Sequence, residues 1–190
     1  MGRIMVNANL TLDGVVQDPS GDEGTPQGGW FARMSDADRA AWAQIETDEA
    51  LATDAILLGR HSDAWFASRW QERSGVWADR LNGLPKYVVS SSITEARWSN
   101  GTVLRGEVLE EVTSLKDRVH GKIAIFGSGT LVRKLIAHDL VDELHLMVHP
   151  FVLGSGDRLF GATPERRSLR LLAARAVGSE VVNVRYAVVR

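Results

Sequence analysis

Short apolar runs bounded by turn residues recur along the first two thirds of the chain. Runs of this length without polar alternation are typical of strands that are covered on both faces. They predict buried strands at residues 4–12, 55–58, 86–89, 102–104 and 122–126.

Between these runs, apolar residues recur at helical spacing. Ser35 is typical of a helix N-cap, and Ala37, Ala41, Ile45 and Ala52 follow it on one helical stripe. The same spacing predicts further helices around residues 62–66, 108–119 and 131–136. Alternating strands and helices indicate a layered α/β fold.

The C-terminal third has a different pattern. Leu144, Leu146 and Val148 alternate with polar residues, and segments 168–176 and 181–189 predict two strands joined by a turn at residues 178–179. We therefore predict a three-layer αβα fold with a mixed, mostly parallel central sheet and antiparallel C-terminal strands. We expect one domain over residues 1–190.

Composition narrows the function classes. The chain has 190 residues, no cysteine and a net charge of −2 from 22 basic and 24 acidic residues. The absence of cysteine excludes disulfides, thiolate metal sites and cysteine nucleophiles. The balanced charge gives no general attraction to nucleic acid, and no apolar run approaches the roughly 20 residues that span a bilayer. We expect a cytoplasmic protein with no nucleic-acid or membrane partner.

Residues 18–29 form the one compositional outlier. The segment is rich in glycine and polar residues and cannot build a core. It is interpreted either as a disordered surface loop or as a mobile lid over a site, anchored by Trp30 and Phe31.

Two strand-to-helix junctions carry the clearest chemistry. Glycine lets a phosphate approach the backbone, and the free N–H groups at a helix start bind anions. The junctions lie at residues 59–62 and 127–130. The guanidinium of Arg60 adds N–H donors whose arrangement suits a phosphate monoester. The alternative is that these glycines only close tight turns. A Rossmann fingerprint is rejected because Val132 stands where its third glycine would be.

Three acids are candidates for proton chemistry. Asp48 and Glu49 flank the apolar stripe of the first helix, where a carboxylate is costly unless it is paired or used. Asp13 precedes a glycine and either shapes the turn or positions a loop beside a cofactor. His145 and His149 share one face of a strand, but a polar strand face or an oligomer contact is favoured over a metal site.

An ordered set of strings resembles the dihydrofolate-reductase-like superfamily. The resemblance is greatest to stand-alone bacterial proteins similar to the C-terminal reductase domain of bifunctional riboflavin deaminase-reductases. It rests on residues 9–14, 53–60, 85–90, 127–131, 140–144 and 150–160. The deaminase half of such enzymes holds zinc through cysteines and histidine, so this cysteine-free chain is expected to be the reducing half alone.

The resemblance implies NADPH bound in an extended form. It places Arg60 at the 2′-phosphate, His61 and Ser62 at a phosphate-receiving helix start, and Ser90 in the adenosine pocket. It implies a second phosphate turn formed by Gly127, Ser128, Gly129, Thr130 and Leu131. Ala8, Asn9 and Val16 match positions around the nicotinamide, with Asp13 in the adjoining loop and residues 18–29 as the mobile loop near the substrate.

The resemblance therefore implies an NADPH-dependent reductase that transfers a hydride to a small heterocyclic or ribosylaminopyrimidine-type molecule. The alternatives are dihydrofolate reductase proper and a non-catalytic NADPH-binding protein on the same scaffold. The Trp-x-x-Pro lead-in that precedes the acid of folate reductases is absent, so no motif places the acid. By analogy with related reductase domains we expect a homodimer, paired through the C-terminal strands.

Overall fold

The computed structural model describes residues 1–161 and 166–189. Eight strands in these residues form one sheet in the order β4-β3-β2-β5-β1-β6-β8-β7. The strands are β1 (Arg3–Thr11), β2 (Ala55–Gly59), β3 (Lys86–Val89), β4 (Gly101–Leu104), β5 (Lys122–Phe126), β6 (Glu143–His149), β7 (Ser168–Val177) and β8 (Val181–Val189). The helices are α1 (Asp36–Leu51), α2 (Arg60–Trp70), α3 (Val76–Gly83), α4 (Val108–Arg118) and α5 (Gly129–Ala137), with a 3₁₀ turn at Trp30–Arg33.

The pairs formed among strands β1 to β6 are all parallel, and β8 pairs antiparallel with both β6 and β7. The predicted α/β class with a mixed sheet and an antiparallel C-terminal hairpin is therefore confirmed. Each predicted strand is present with its ends within one residue or two. Helix α3, eight residues long, was not predicted.

The two faces of the sheet differ in chemistry. On the face covered by α4 and α5, β1 contributes Ile4, Val6, Ala8 and Leu10 to a continuous apolar core. The opposite face is covered by α1, α2 and α3, and its apolar clusters lie to either side of β1. No helix in residues 1–161 and 166–189 is long and apolar enough to cross a membrane.

The apolar stripe predicted for α1 is half correct, since Ala41 and Ile45 join an apolar cluster. Ala37 and Ala52 are exposed, whereas Asp38, Glu46 and Glu49 are buried. The N-cap prediction is correct, since the Ser35 hydroxyl accepts a hydrogen bond from the amide of Asp38. Helix α1 thus presents acidic side chains to the sheet, which hydrophobic periodicity alone cannot reveal.

Residues 18–29 fold around one buried carboxylate. Asp18 is 1% exposed and accepts hydrogen bonds from the amides of Glu23 and Thr25 and from the Thr25 hydroxyl. Burial alone raises the pKa of Asp18, but these hydrogen bonds outweigh it and leave the pKa below its ordinary value. The interpretation of this segment as a disordered loop is therefore wrong, and the chain leaves it at Trp30, which is fully buried.

Replacing Asp18 tests this organisation. In Asp18→Ala these three donors lose their charged acceptor, so we expect the free energy of unfolding to fall by about 1–3 kcal/mol. Hydrogen exchange should accelerate at the amides of Glu23 and Thr25. The matched control is Glu23→Ala, which removes an adjacent exposed carboxylate. Unchanged amide protection in Asp18→Ala would contradict the structure of this loop.

Candidate active site

The two predicted junctions lie side by side at the carboxyl edge of the sheet. Strands β2 and β5 are neighbours, and the helices that follow them, α2 and α5, begin directly after Gly59 and Ser128. The Gly59 amide donates to Ser128 Oγ over 2.9 Å, and Ser128 Oγ contacts Ser62 Oγ at 2.8 Å. These bonds connect residues 59–62 and 127–130 into a single unit, which we call the twin-junction site.

Backbone conformation adapts this site to an anion. Gly127 has φ +69°, and a Cβ there would lie 3.3 Å from Ser62 Oγ, so a side chain would be both strained and crowded. Ser128 has φ +58°, which is uncommon for a residue other than glycine. Within the described residues, neither α2 nor α5 has a side-chain cap, so their first N–H groups remain available to a ligand.

The strand topology explains why a ligand would bind at this edge of the sheet. From β2 the chain passes through α2 and α3 to β3, and from β5 it passes through α5 to β6, in the opposite direction and on the opposite face. Connections that diverge from adjacent parallel strands leave a crevice at their carboxyl ends, and ligands of open α/β sheets bind in such crevices. The twin-junction site occupies this crevice.

The other residues expected at a cofactor lie around this edge. Arg60 and His61 are exposed in the first turn of α2, and Thr130 and Leu131 are in the first turn of α5. Ser90 follows β3, where its hydroxyl accepts from the amide of Ser92.

Three further cofactor candidates belong to β1 and the segment after it. A Cβ on Gly129 would lie 3.6 Å from Val16, which places Val16 beside the start of α5. Ala8 and Asn9 are adjacent on β1 and face opposite sides of the sheet. The Ala8 side chain joins the apolar core, whereas that of Asn9 faces α1. Of these two side chains, Asn9 is therefore the one that can meet a ligand on the α1 side.

A second polar assembly lies between α1 and the strands β1, β6 and β8. Alternate residues of these strands point towards α1. We call this assembly the α1 polar cluster, and its members are Asn7, Asn9, Trp42, Glu46, Glu49, His145, His149, Asn183 and Arg185. It adjoins the twin-junction site across β1, so the two assemblies form one candidate active site.

Glu49 is the charged centre of this cluster. It is 5% exposed, its carboxylate pairs with Arg185, and Glu49 Oε2 lies 3.1 Å from His145 Nδ1. The other nitrogen of His145 lies 2.9 Å from Glu143, which also pairs with Arg3. Burial raises the pKa of Glu49, but His145 and Arg185 outweigh it and hold the pKa below its ordinary value. Glu49 is therefore a carboxylate held by the Arg185 guanidinium and by the imidazole of His145.

Asn9 organises the end of the cluster nearest the carboxyl edge. Its Oδ1 accepts hydrogen bonds from Trp42 Nε1 over 2.9 Å and from His149 Nε2 over 3.0 Å. Burial lowers the pKa of His149 to about 4, so the ring is neutral and presents an unprotonated Nδ1. Trp30 and Phe31 pack against this ring at centroid distances of 5.2 and 5.7 Å.

Glu46 differs from Glu49 in having no cationic partner among its recorded contacts. It is 3% exposed, and its one hydrogen bond comes from Asn7 Nδ2 at 3.3 Å. Burial and the charge of Glu49 raise the pKa of Glu46 to about 8. Among the described residues, Glu46 Oε1, His149 Nδ1 and Asn183 Oδ1 are buried without a hydrogen-bond partner. Such orphaned atoms on one side of the sheet mark a place that a ligand or water would satisfy.

The three acids expected from the sequence are not brought together. Asp48 is exposed on α1 and accepts from Gln44, away from the sheet. Asp13 accepts from Thr11 and from the amides of Leu153 and Gly154. These bonds, led by the one from Thr11, lower the pKa of Asp13 to about 2. Asp13 therefore anchors the turn after β1, and of the three only Glu49 lies in the α1 polar cluster.

His145 and His149 do share a strand face, as expected, but their rings have separate partners. No group of three or more potential ligands in residues 1–161 and 166–189 could hold a metal ion.

The segment 18–29 borders this site. Asp22 pairs with Arg69 at 2.6 Å and accepts from Trp65 on α2, while Gln27 hydrogen-bonds Ser155 on the other side. A cleft of about 340 Å³ opens between this segment and the loop at residues 153–156. The segment thus extends from α2 to the loop at residues 153–156, a position from which it would cover the site.

Sequence analysis missed Glu46, Asn7, Arg185 and Asn183. One signal was available, because Asn7 and Asn9 alternate with apolar residues on a strand predicted to be buried on both faces. A second was the spacing of Trp42, Glu46 and Glu49 on one side of α1.

The strand order and the twin helix starts define an α/β protein of the dihydrofolate-reductase-like fold. A model of the RibD C-terminal domain matches residues 3–183, so the chain belongs to the RibD C-terminal domain family. The uncharacterized protein YyaP of Bacillus subtilis (strain 168) is 30% identical over 190 residues, covering 97% of this chain and 94% of that protein.

Solved structures agree on the fold. A protein of Shewanella sp. PV-4, provisionally assigned to riboflavin biosynthesis, superposes with a TM-score of 0.71 at 19% identity over 99% of both chains. Dihydrofolate reductase from Enterococcus faecalis, complexed with NADP(H) and a propyl-bearing ligand, superposes with a TM-score of 0.58 at 13% identity, covering 98% of this chain and 96% of that one. Together with the family, this fold supports a reductase-like function of the oxidoreductase class.

The titration of Glu46 predicts a pH-dependent stability. The pKa of this carboxyl rises from 4.5 to about 8 on folding, so between these values the folded state binds one more proton than the unfolded state. The stabilisation that follows from this raised pKa is fully present below about pH 4.5 and is lost as the pH rises to about 8. Relative to Glu46→Gln, the wild type should lose about 1.4 kcal/mol of unfolding free energy per pH unit.

Urea unfolding of both proteins from pH 5 to 8.5 measures this difference. The control Glu110→Gln, at an exposed position of α4, should follow the wild type at every pH. A Glu46→Gln curve parallel to that of the wild type would mean that Glu46 titrates normally.

Proposed function

We propose that this protein is an NADPH-dependent reductase that acts on a small heterocyclic or ribosylaminopyrimidine-type substrate. The observation that carries the proposal is the twin-junction site, in which two uncapped helix starts meet at the crevice between β2 and β5. Membership of the RibD C-terminal domain family supports the reaction class, and a role in riboflavin biosynthesis follows as the corresponding pathway proposal.

The residues present fit an extended dinucleotide. The amides at the starts of α2 and α5 would hold the phosphates, and Gly59 and Gly127 would let them approach the backbone. Arg60 would meet the 2′-phosphate at the exposed first turn of α2, with His61 and Ser62 beside it. Ser90 would contact the adenosine, because β3 is the next strand outward from β2.

The reduced end of the cofactor would lie near Val16 and Asn9, where the twin-junction site adjoins the α1 polar cluster. When bound, NADPH supplies the hydride for reduction of a C=N or C=O bond. The chain itself orients the substrate between β1 and α1 and excludes water with Trp30, Phe31 and Trp42. The α1 polar cluster provides the hydrogen-bonding groups for the substrate.

Cofactor preference tests the proposed function. Arg60→Ala removes the donor fork to a phosphate monoester, so we expect the dissociation constant for NADPH to rise about 10- to 100-fold while that for NADH changes little. Titration calorimetry measures both constants. Arg118→Ala, which removes an exposed arginine at the end of α4, is the matched control. Equal NADPH preference in Arg60→Ala and wild type would refute the 2′-phosphate assignment.

Turnover separates the proposed reductase from its rivals. The wild type is incubated with NADPH and a panel of dihydrofolate, a ribosylaminopyrimidine and simple carbonyl compounds, with oxidation followed at the NADPH absorbance band. NADPH binding without any turnover would favour a non-catalytic binding protein. Turnover of dihydrofolate alone would favour dihydrofolate reductase proper.

A homodimer through the C-terminal strands is part of this proposal. Strand β7 is the sheet edge, and Leu169, Leu171 and Leu172 on it are 40–55% exposed. A ten-residue edge strand with exposed leucines is prone to pair with a second chain unless it is covered. A second copy of the same chain would cover this edge without any other partner.

Charge at this edge should disrupt the pairing. Leu171→Glu introduces a carboxylate that a dimer would have to bury, so we expect sedimentation velocity to show a monomer where the wild type is a dimer. Val76→Glu, a comparable substitution at an exposed position of α3, should leave the wild-type mass unchanged. A monomeric wild type, or a Leu171→Glu variant that remains dimeric, would contradict this interface.

A further inference from the structure

The cleft between segment 18–29 and the loop at residues 153–156 has a volume of about 340 Å³. Sites for small molecules have volumes of about 300–1,000 Å³, so the cleft suits part of a small ligand. Val15, which is 1% exposed, and Leu153 contribute apolar surface to it. Its polar lining side chains are Gln17, Thr25, Gln27 and Ser155.

The cleft adjoins both assemblies of the candidate active site. A Cβ on Gly129 would lie 3.6 Å from Val16, so Val16 lies beside the twin-junction site, and the next residue, Gln17, lines the cleft. The Gln17 carbonyl accepts a hydrogen bond from Trp30 Nε1 over 3.1 Å, and Trp30 packs against His149 of the α1 polar cluster. A molecule that extends outwards from these assemblies would therefore reach the cleft past Gln17.

The two glutamine side chains present the same group to the cleft. The amide of Asp157 donates to Gln17 Oε1 over 3.1 Å, and the Ser155 hydroxyl donates to Gln27 Oε1 over 3.1 Å. Each side-chain oxygen is thereby used within the protein. In the described part of the chain neither NH₂ group has a recorded partner, so both are hydrogen-bond donors available to a ligand.

Charge at the cleft favours an uncharged ligand. Among the described residues, none that lines the cleft is charged. Arg158, two residues beyond the lining residue Gly156, donates to the carbonyls of Asp13 and Gly154 and pairs with the Asp13 carboxylate at 3.6 Å. Between Gly156 and Arg158 stands Asp157, an exposed carboxylate. A phosphate group here would meet that carboxylate while the Arg158 guanidinium is already engaged, so it would be repelled.

We propose that this cleft binds an uncharged, hydroxyl-bearing part of the substrate, such as an unphosphorylated ribosyl chain, and that Gln17 and Gln27 determine this specificity. The inference rests on the proposed reductase function and names the class of substrate that the chain takes. The ring of the substrate would lie beneath α1, its reducible bond near Val16 and Asn9, and its hydroxyl chain in the cleft. The NH₂ groups of the two glutamines would donate to the hydroxyl oxygens.

The experiment compares three ligands that share one aminopyrimidine ring and one reducible C=N bond. The first carries an unphosphorylated ribosyl chain, the second carries its 5′-phosphate, and the third carries an alkyl chain of the same length without hydroxyl groups. NADPH oxidation gives KM and kcat for each ligand. Titration calorimetry with the NADP⁺-loaded protein gives the dissociation constants without requiring turnover.

The variants are Gln17→Leu, Gln27→Leu and Gln27→Arg. The matched control is Gln44→Leu, which replaces an exposed glutamine of α1 outside the cleft. Because Gln27 is itself exposed, Gln27→Leu tests the donor without removing a buried side chain.

We expect the wild type to bind the unphosphorylated ligand at least about 10-fold more tightly than the 5′-phosphate. Gln17→Leu and Gln27→Leu should each raise KM and the dissociation constant for the unphosphorylated ligand about 3- to 10-fold, the effect of one lost hydrogen bond. Their values for the alkyl ligand, and kcat for both ligands, should match those of the wild type. Gln27→Arg should improve binding of the 5′-phosphate, and Gln44→Leu should change nothing.

A wild type that prefers the 5′-phosphate would overturn the inference. Equal losses with the ribosyl and alkyl ligands would also overturn it, because they would assign the glutamines a structural role. A wild type that oxidises NADPH with none of these ligands and with no member of the earlier panel would overturn the proposed function. Failure of the proposed function is thus seen as absent turnover, whereas failure of this inference is seen in the ligand preference of an active protein.

Discussion

The pairing of the Glu49 carboxylate is the interaction on which the candidate active site depends. A buried carboxylate is tolerated only when its charge is compensated, and here His145 and Arg185 provide that compensation from two different strands. These two contacts hold α1 against the sheet at one register. Removing either partner would leave charge uncompensated in the layer that holds Glu46, Asn9 and His149.

This compensation has a chemical consequence. Because Arg185 pairs with Glu49, the neighbouring Glu46 faces a negative charge in a desolvated layer and keeps its proton. The same layer keeps His149 neutral, for the complementary reason that burial disfavours its cationic form. One face of α1 therefore carries both a charged carboxylate, Glu49, and a neutral carboxylic acid, Glu46.

The strand order places this polar layer beside the carboxyl edge of the sheet, where the twin-junction site lies. Strand β1 lies between β5 and β6, so the carboxyl end of β1 belongs to both the twin-junction site and the α1 polar cluster. A cofactor at the junctions and a substrate beneath α1 would meet at that end. The segment 18–29, held together by Asp18 and tied to α2 through Asp22, crosses the same region. Its order comes from one buried carboxylate rather than from an apolar core.

The sequence by itself determined the fold class, the strand positions and both glycine junctions. These features are local, since they follow from apolar runs a few residues long and from turn chemistry at their ends. It also selected Glu49 as a costly acid, but it ranked Asp48 equally with it and overlooked Glu46.

Only the tertiary structure could separate these acids. Glu49 meets His145 and Arg185 across 96 and 136 residues of chain, and no local pattern carries information over such separations. Tertiary structure likewise decided that residues 18–29 are ordered, because burial of Asp18 depends on how the segment packs. Local patterns indicate where a strand or helix forms, whereas the charge state of a buried side chain depends on partners that only the folded chain brings near.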